Sequence, residues 1–119
     1  MKAVLLVSHG SRSSKTKEEV SELVQALKLK TGISIFEFAF LEIEHPSIPE
    51  GIDICVQKGA LEVIVLLNFL NSGRHVNDDI PQIVFDAQHK FPHVRLSITQ
   101  PIGQHSKIID LFVDLLQHA

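Results

Sequence analysis

Val63-Ile64-Val65-Leu66-Leu67, an unbroken apolar run, leads directly into Asn68-Phe69-Leu70-Asn71-Ser72-Gly73-Arg74-His75-Val76-Asn77-Asp78-Asp79-Ile80-Pro81. The apolar run reads as a strand covered on both faces, and the pattern after Asp79 reads as a helix. A Gly, an Arg and a His are therefore concentrated where the carboxyl end of a strand meets the next helix, the edge at which open α/β sheets bind ligands. A second stretch has the same layout. Val4-Leu5-Leu6-Val7 is followed by Ser8-His9-Gly10-Ser11-Arg12, so two histidines, each beside or near a Gly and an Arg, follow two separate strands.

Working outward, residues 2 to 8 form strand one. Thr16 and Glu19 have capping-box spacing, and Val20, Leu23, Val24 and Leu27 recur at i, i+3, i+4, i+7, predicting a first helix that lies on the sheet and ends near Gly32. Ile33 to Phe40 is β-branched and aromatic and predicts strand two, running into Leu41-Glu42-Ile43-Glu44-His45-Pro46. Ser47 and Glu50 repeat the capping-box spacing with Pro49 in the first turn, and Ile52, Cys55 and Val56 give a short second helix stopped by Gly59. Leu61 to Phe69 is strand three. Ile80, Ile83, Val84 and Ala87 mark a third helix that ends before Pro92, Val94 to Thr99 is strand four, and Ile109, Phe112, Val113 and Leu116 mark a fourth amphipathic helix. The expected fold is α/β, (βα)4: an open parallel four-stranded sheet with helices on both faces, forming one domain over residues 1–119. Right-handed crossovers and a strand order 2-1-3-4 place the switch point between strands one and three, so that the loops of His9 and His75 open side by side.

At 119 residues, 45% hydrophobic and 21% charged, the chain has the composition of one folded domain. A net charge of −3 with scattered basic residues argues against nucleic acid or an anionic membrane as partner. The lone Cys55 excludes an internal disulfide, and the first apolar run is too short for a signal peptide or a span, so a cytoplasmic setting is expected. Neither Gly-x-Gly-x-x-Gly, HExxH nor CxxC is present. A histidine phosphatase would carry Arg where Ser8 stands, and a receiver domain would carry Asp near Asn68 and Phe69.

Two neutral imidazoles converging on one crevice suit metal handling or proton transfer. Glu42, at the end of strand two, adds a carboxylate from the neighbouring loop. The ordinary alternatives are a His that supports a loop and a solvated Glu. Arg12 and Arg74, with Ser11 and Gly73 of the same loops, predict a polyanionic ligand, because Arg is the preferred partner of carboxylates and phosphates. Glu44 and His45 read as surface residues, and Cys55 as a small core residue. His89, His93 and His118 lie away from this edge.

Taken together, Ser8-His9-Gly10-Ser11-Arg12, Phe40-Leu41-Glu42 with Pro46-Ser47-Ile48, Gly73-Arg74-His75 with Asp79-Ile80-Pro81, and Pro101-Ile102-Gly103-Gln104-His105 resemble the small class II tetrapyrrole chelatases of the sirohydrochlorin cobaltochelatase and ferrochelatase type. The resemblance runs along nearly the whole chain. It implies a single chelatase-like lobe that inserts a divalent metal into sirohydrochlorin in cobalamin- or siroheme-type biosynthesis. The family's active-site histidines fall on His9 and His75, as catalytic and metal-binding residues, and its acidic residue on Glu42. The metal is then a substrate, cobalt first, with iron(II) or nickel as alternatives, and no cofactor stays bound. A His-rich tract found in some relatives is missing. Since one lobe offers a flat macrocycle only one wall, a homodimer is expected, with Leu41, Phe69, Leu70 and Ile102 lining the cleft or the subunit contact. The competing reading is a carrier that binds tetrapyrrole or metal without catalysing insertion.

Overall fold

The structure is a computed structural model covering residues 1–119. Strands and helices alternate along the chain: β1 (Lys2–Ser8), α1 (Ser14–Thr31), β2 (Ile35–Phe40), α2 (Ile48–Gln57), β3 (Glu62–Leu67), α3 (Ile80–Lys90), β4 (Arg95–Ile98) and α4 (Ile108–Gln117). All three strand pairings are parallel, as the alternating pattern predicts, and the order is β2-β1-β3-β4, the one chosen from the sequence. Each strand is shorter than its predicted span or equal to it. The outer residues Ile33, Leu61, Phe69, Val94 and Thr99 belong to the loops at the sheet edges.

β1 is central, and six of its seven residues are buried. On one face Leu5, Val7, Ala39, Val63, Val65 and Leu67 pack against Ile48, Ile52 and Cys55 of α2 and Ile80, Val84 and Ala87 of α3. Gly51 allows α2 to lie close, because a Cβ there would sit 2.8 Å from Leu5 and 2.9 Å from Ala39. The other face is covered over β1 and β2 by α1, where Val20 and Val24 meet Val4, Leu6, Phe36 and Phe40. On that side of β3, Ile64 and Leu66 are only half-buried, and Ser97 of β4 is exposed. Burial pushes the Cys55 thiol up to about 12, so it behaves as a core side chain.

Helix ends show which local signals operate. At α2 the capping box forms as the spacing predicts: Glu50 N–H donates to Ser47 Oγ at 3.3 Å, and Ser47 N–H donates to Glu50 Oε1 at 2.7 Å. At α1 it does not. The helix begins at Ser14, before Thr16, and its N-cap Ser13 is extended with no side-chain cap; Thr16 N–H donates to the Ser13 carbonyl instead.

The fourth helix departs from expectation. Ile109, Phe112, Val113 and Leu116, which predict a face laid on the core, are 65%, 53%, 44% and 76% exposed, and α4 buries no residue. Two features account for this. The loop before it is fastened to the end of β3, where Leu67 N–H donates to Thr99 Oγ1 and Gly103 N–H donates to the Phe69 carbonyl, so α4 departs from the sheet edge. Its apolar face is also broad, because Ile108, Leu111 and Leu115 flank the predicted stripe and leave only Asp110, Asp114 and Gln117 as a polar stripe opposite, and no element of this chain covers it.

Candidate metal centre

The ends of β1 and β2 remain paired beyond the strands. Leu41 N–H donates to the Ser8 carbonyl at 2.9 Å and Glu42 N–H donates to the His9 carbonyl at 3.1 Å, which sets Glu42 beside His9. Gly10 adopts φ +106°, and a side chain there would run into the Glu42 carbonyl, so only glycine permits this approach. Beyond Glu42, Glu44 N–H donates back to the Glu42 carbonyl at 2.8 Å across Ile43, whose φ of 73° is unusual for a β-branched residue. Glu44 is not a free surface residue as expected: it is half-buried, and its Oε2 accepts from Ser11 N–H at 3.2 Å, tying the two loops together.

On the other side of β1, Asn68 N–H donates to the Val7 carbonyl, and its side-chain amide donates to the buried Ser8 Oγ at 3.0 Å. The chain then runs through Gly73 and Arg74 into a π-helical turn, His75–Asp79, that precedes α3. Neither the π turn nor the Ser8–Asn68 bond shows in residue periodicity.

These loops bring His9, Glu42 and His75 together, with one donor atom from each lying within 4.8 Å of the others. His9 Nε2 is 2.9 Å from Glu42 Oε1, and the His9 and His75 rings meet edge to face with centroids 5.9 Å apart. All three side chains are about half exposed, at 51%, 48% and 51%. Two imidazoles and one carboxylate suit a divalent cobalt, nickel or iron ion and can equally exchange protons. The His9–Glu42 contact is a hydrogen bond when His9 carries a proton on Nε2; without that proton, both atoms present lone pairs to an ion.

The remaining residues of the two loops lie close by with different surroundings. Arg12 and Arg74 are exposed, and neither forms an ion pair within the chain. Ser11 is partly committed locally, its Oγ accepting from Ser13 N–H at 3.1 Å. Gly73 is uncrowded, and its carbonyl accepts from Asn77 N–H. Leu41 and Phe69 pack partly on the core, whereas Leu70 and Ile102 are 60% and 48% exposed at the rim. A surface depression of about 600 Å³ beside Phe85, His89, His93 and Arg95 is at the amino end of β4, away from the triangle. Asp79 had no role in the sequence reading, yet its carboxylate lies 2.7 Å from His75 Nδ1. Their i, i+4 spacing is the one trace of this contact in the sequence.

A family model described as CbiX matches residues 3–119. The chain is 39% identical to the chloroplastic sirohydrochlorin ferrochelatase of Arabidopsis thaliana, over 97% of this chain and 51% of that protein. It is 28% identical to the sirohydrochlorin cobaltochelatase of Methanocaldococcus jannaschii, over 96% of each. Its fold superposes on the sirohydrochlorin chelatase SirB from Bacillus subtilis subspecies spizizenii, solved in complex with cobalt, with a TM-score of 0.88 at 29% identity, covering 98% of this chain and 50% of that one. The chain thus spans about half the length of the larger relatives it matches.

Proposed function

The chain belongs to the CbiX family, and from that premise we propose that it is a sirohydrochlorin chelatase, inserting a divalent metal ion into the macrocycle as a lyase of cobalamin- or siroheme-type biosynthesis. The observation that carries this reading is the His9–Glu42–His75 triangle at the carboxyl edge of the sheet. Insertion exchanges one M²⁺ for two pyrrole protons while the ion sheds its water. The triangle offers neutral nitrogen donors to receive the ion and basic atoms to take up protons, at the same place. His9, His75 and Glu42 are thus the catalytic residues, and His9 and His75 the metal ligands. Arg12 and Arg74, with Ser11 and Gly73 shaping their loops, hold the carboxylates around the tetrapyrrole rim. The metal is a substrate, and no cofactor stays bound. Cobalt is the first choice among cobalt, iron(II) and nickel, since imidazole and carboxylate donors accept all three.

The working form in this reading is a homodimer. The triangle lies on an open edge, and a flat tetrapyrrole needs two walls to be mostly enclosed. The larger relatives carry about another half-length of chain beyond the part matched here, and a second copy supplies the equivalent. The apolar surface of α4, with a groove of about 430 Å³ flanked by Leu66, Ile102, Ile108 and Leu111, is the contact we assign to that copy. No helix is long and apolar enough to cross a membrane, and a cytoplasmic setting goes with the reading.

Anaerobic mixing of sirohydrochlorin with cobalt, iron(II) or nickel, followed by the macrocycle spectrum, tests the activity. Acceleration with at least one ion is expected. A spectrum that shows bound tetrapyrrole but insertion at the spontaneous rate with all three would leave a carrier in place of an enzyme.

A further inference from the structure

His75 is held from behind. Its Nδ1 lies 2.7 Å from Asp79 Oδ2, the length of a charge-assisted hydrogen bond. Both residues belong to the π-helical turn His75–Asp79, closed by Ile80 N–H donating to the His75 carbonyl. Val76 and Ile80 of this segment are buried, 8% and 0% exposed, and fix its rotation on the core. His75 and Asp79, four residues apart, share the neighbouring edge and stay about half exposed. π turns of this kind recur at functional sites. His9 has no comparable support: its Nε2 faces Glu42, and its Nδ1 is 3.4 Å from the Gly10 carbonyl, longer than a good hydrogen bond.

We propose that Asp79 is a positioning residue, whose carboxylate accepts the Nδ1 proton of His75 and thereby dedicates Nε2 of that ring, with its lone pair, to the incoming metal ion. A carboxylate behind a ligating imidazole fixes both tautomer and ring orientation, and its loss typically weakens metal binding by about 10–100-fold. The two histidines are then inequivalent. His75 is the fixed ligand, and His9 the one whose nitrogen is shared with Glu42. The ordinary alternative is an exposed i, i+4 pair at a helix start, which adds a little to stability and nothing to the metal. Asp78 controls for it, since it carries the same charge at the same helix end and is exposed.

This role rests on the triangle being the metal site, so the test reads metal binding without tetrapyrrole. Cobalt(II) is titrated into the full chain, wild type and variants, by calorimetry and by the visible absorption of the bound ion. Asp79→Ala should weaken cobalt binding by about 10–100-fold with little change in melting temperature, Asp79→Asn should recover part of the loss, and Asp78→Ala should bind as wild type. Equal affinity in wild type and both Asp79 variants overturns the Asp79 role alone, whereas a wild type that binds no cobalt removes the metal-site reading beneath it. Should Asp79→Ala fail to fold, Asp79→Asn and nitrogen-15 spectra of the wild-type histidines still decide: neutral His75 protonated at Nδ1 is expected, and protonation at Nε2 overturns the proposal.

Discussion

His9 Nε2 and Glu42 Oε1 stand 2.9 Å apart although no sequence neighbourhood connects them; the parallel pairing of β1 with β2, continued past the last strand residues, sets that distance. The contact is about half exposed, so as an ion pair it contributes at most about 1 kcal/mol to stability. Its value is chemical. His9→Ala, His75→Ala and Glu42→Gln should each lower the rate of metal insertion by about 10²–10⁴-fold, while melting temperatures stay within a few degrees. Thermal denaturation run beside the activity assay checks this. Parallel losses of stability and activity would return these residues to loop support.

Gly10→Ala should damage the site without touching a donor atom. The new Cβ meets the Glu42 carbonyl, and the positive φ disfavours any side chain. Strain and overpacking together are expected to cost about 2–4 kcal/mol. Chemical denaturation gives that figure, and cobalt titration of the folded fraction should show weakened binding, because Glu42 is displaced from His9.

Periodicity carried the architecture well. Strand runs, helix stripes and crossover handedness led to a parallel (βα)4 sheet; the order β2-β1-β3-β4 is a choice those signals allow, and it brings the loops of Glu42, His9 and His75 to one edge. What stayed hidden depended on geometry that a one-dimensional pattern does not encode. The Asp79–His75 contact sits in a π turn that no periodicity announces, and the Glu44–Ser11 tie requires two loops to fold over each other. The spacing of Thr16 and Glu19 fits a capping box as well as Ser47 and Glu50 do, yet only the second pair forms one. In α4 the apolar residues reveal that a surface must be covered, but not which surface covers it.

Arg12→Ala and Arg74→Ala should raise KM for sirohydrochlorin several-fold each and leave kcat nearly unchanged. Their guanidinium groups would contact rim carboxylates that are present before and during the reaction, and binding of that kind is uniform. Steady-state kinetics at saturating metal decides it. An unchanged KM in both variants would remove the Arg residues from substrate binding.

Phe112→Glu should turn a dimer into monomers. A charge placed where an aromatic side chain anchors a contact costs on the order of 2 kcal/mol or more of association energy. Sedimentation at assay concentrations, with and without substrate, should show the wild type as a dimer and the variant shifted to monomer with reduced activity. A fully active wild-type monomer would falsify the shared cleft.

Acid sensitivity should have an identifiable contribution at α2. Hydrogen bonds from Ser47 N–H, then from His45 and the Ser47 hydroxyl, lower the Glu50 carboxyl from 4.5 to about 2. Because the folded value lies below the unfolded one, the contribution is complete above about 4.5 and disappears as pH falls toward about 2. Glu50→Gln should therefore be less stable than wild type near neutrality, with the gap narrowing through that window. Urea midpoints measured across it check the sign, and a gap that widens on acidification would refute it.

Glu42 and His9 follow the paired strands β2 and β1 directly, and His75 stands on the turn that leads from β3 into α3, so the strand order decides which donors meet. The three donor atoms lie within 4.8 Å of one another. Bonds of about 2.0–2.2 Å around a tetrahedral ion would bring its donors to roughly 3.3–3.6 Å. His9 Nε2 and Glu42 Oε1, at 2.9 Å, stand closer than that and would have to part to admit an ion between them, so gripping an ion depends on side-chain rotation. A grip assembled this way is easily reopened, as the proposed handing of the ion to a macrocycle requires.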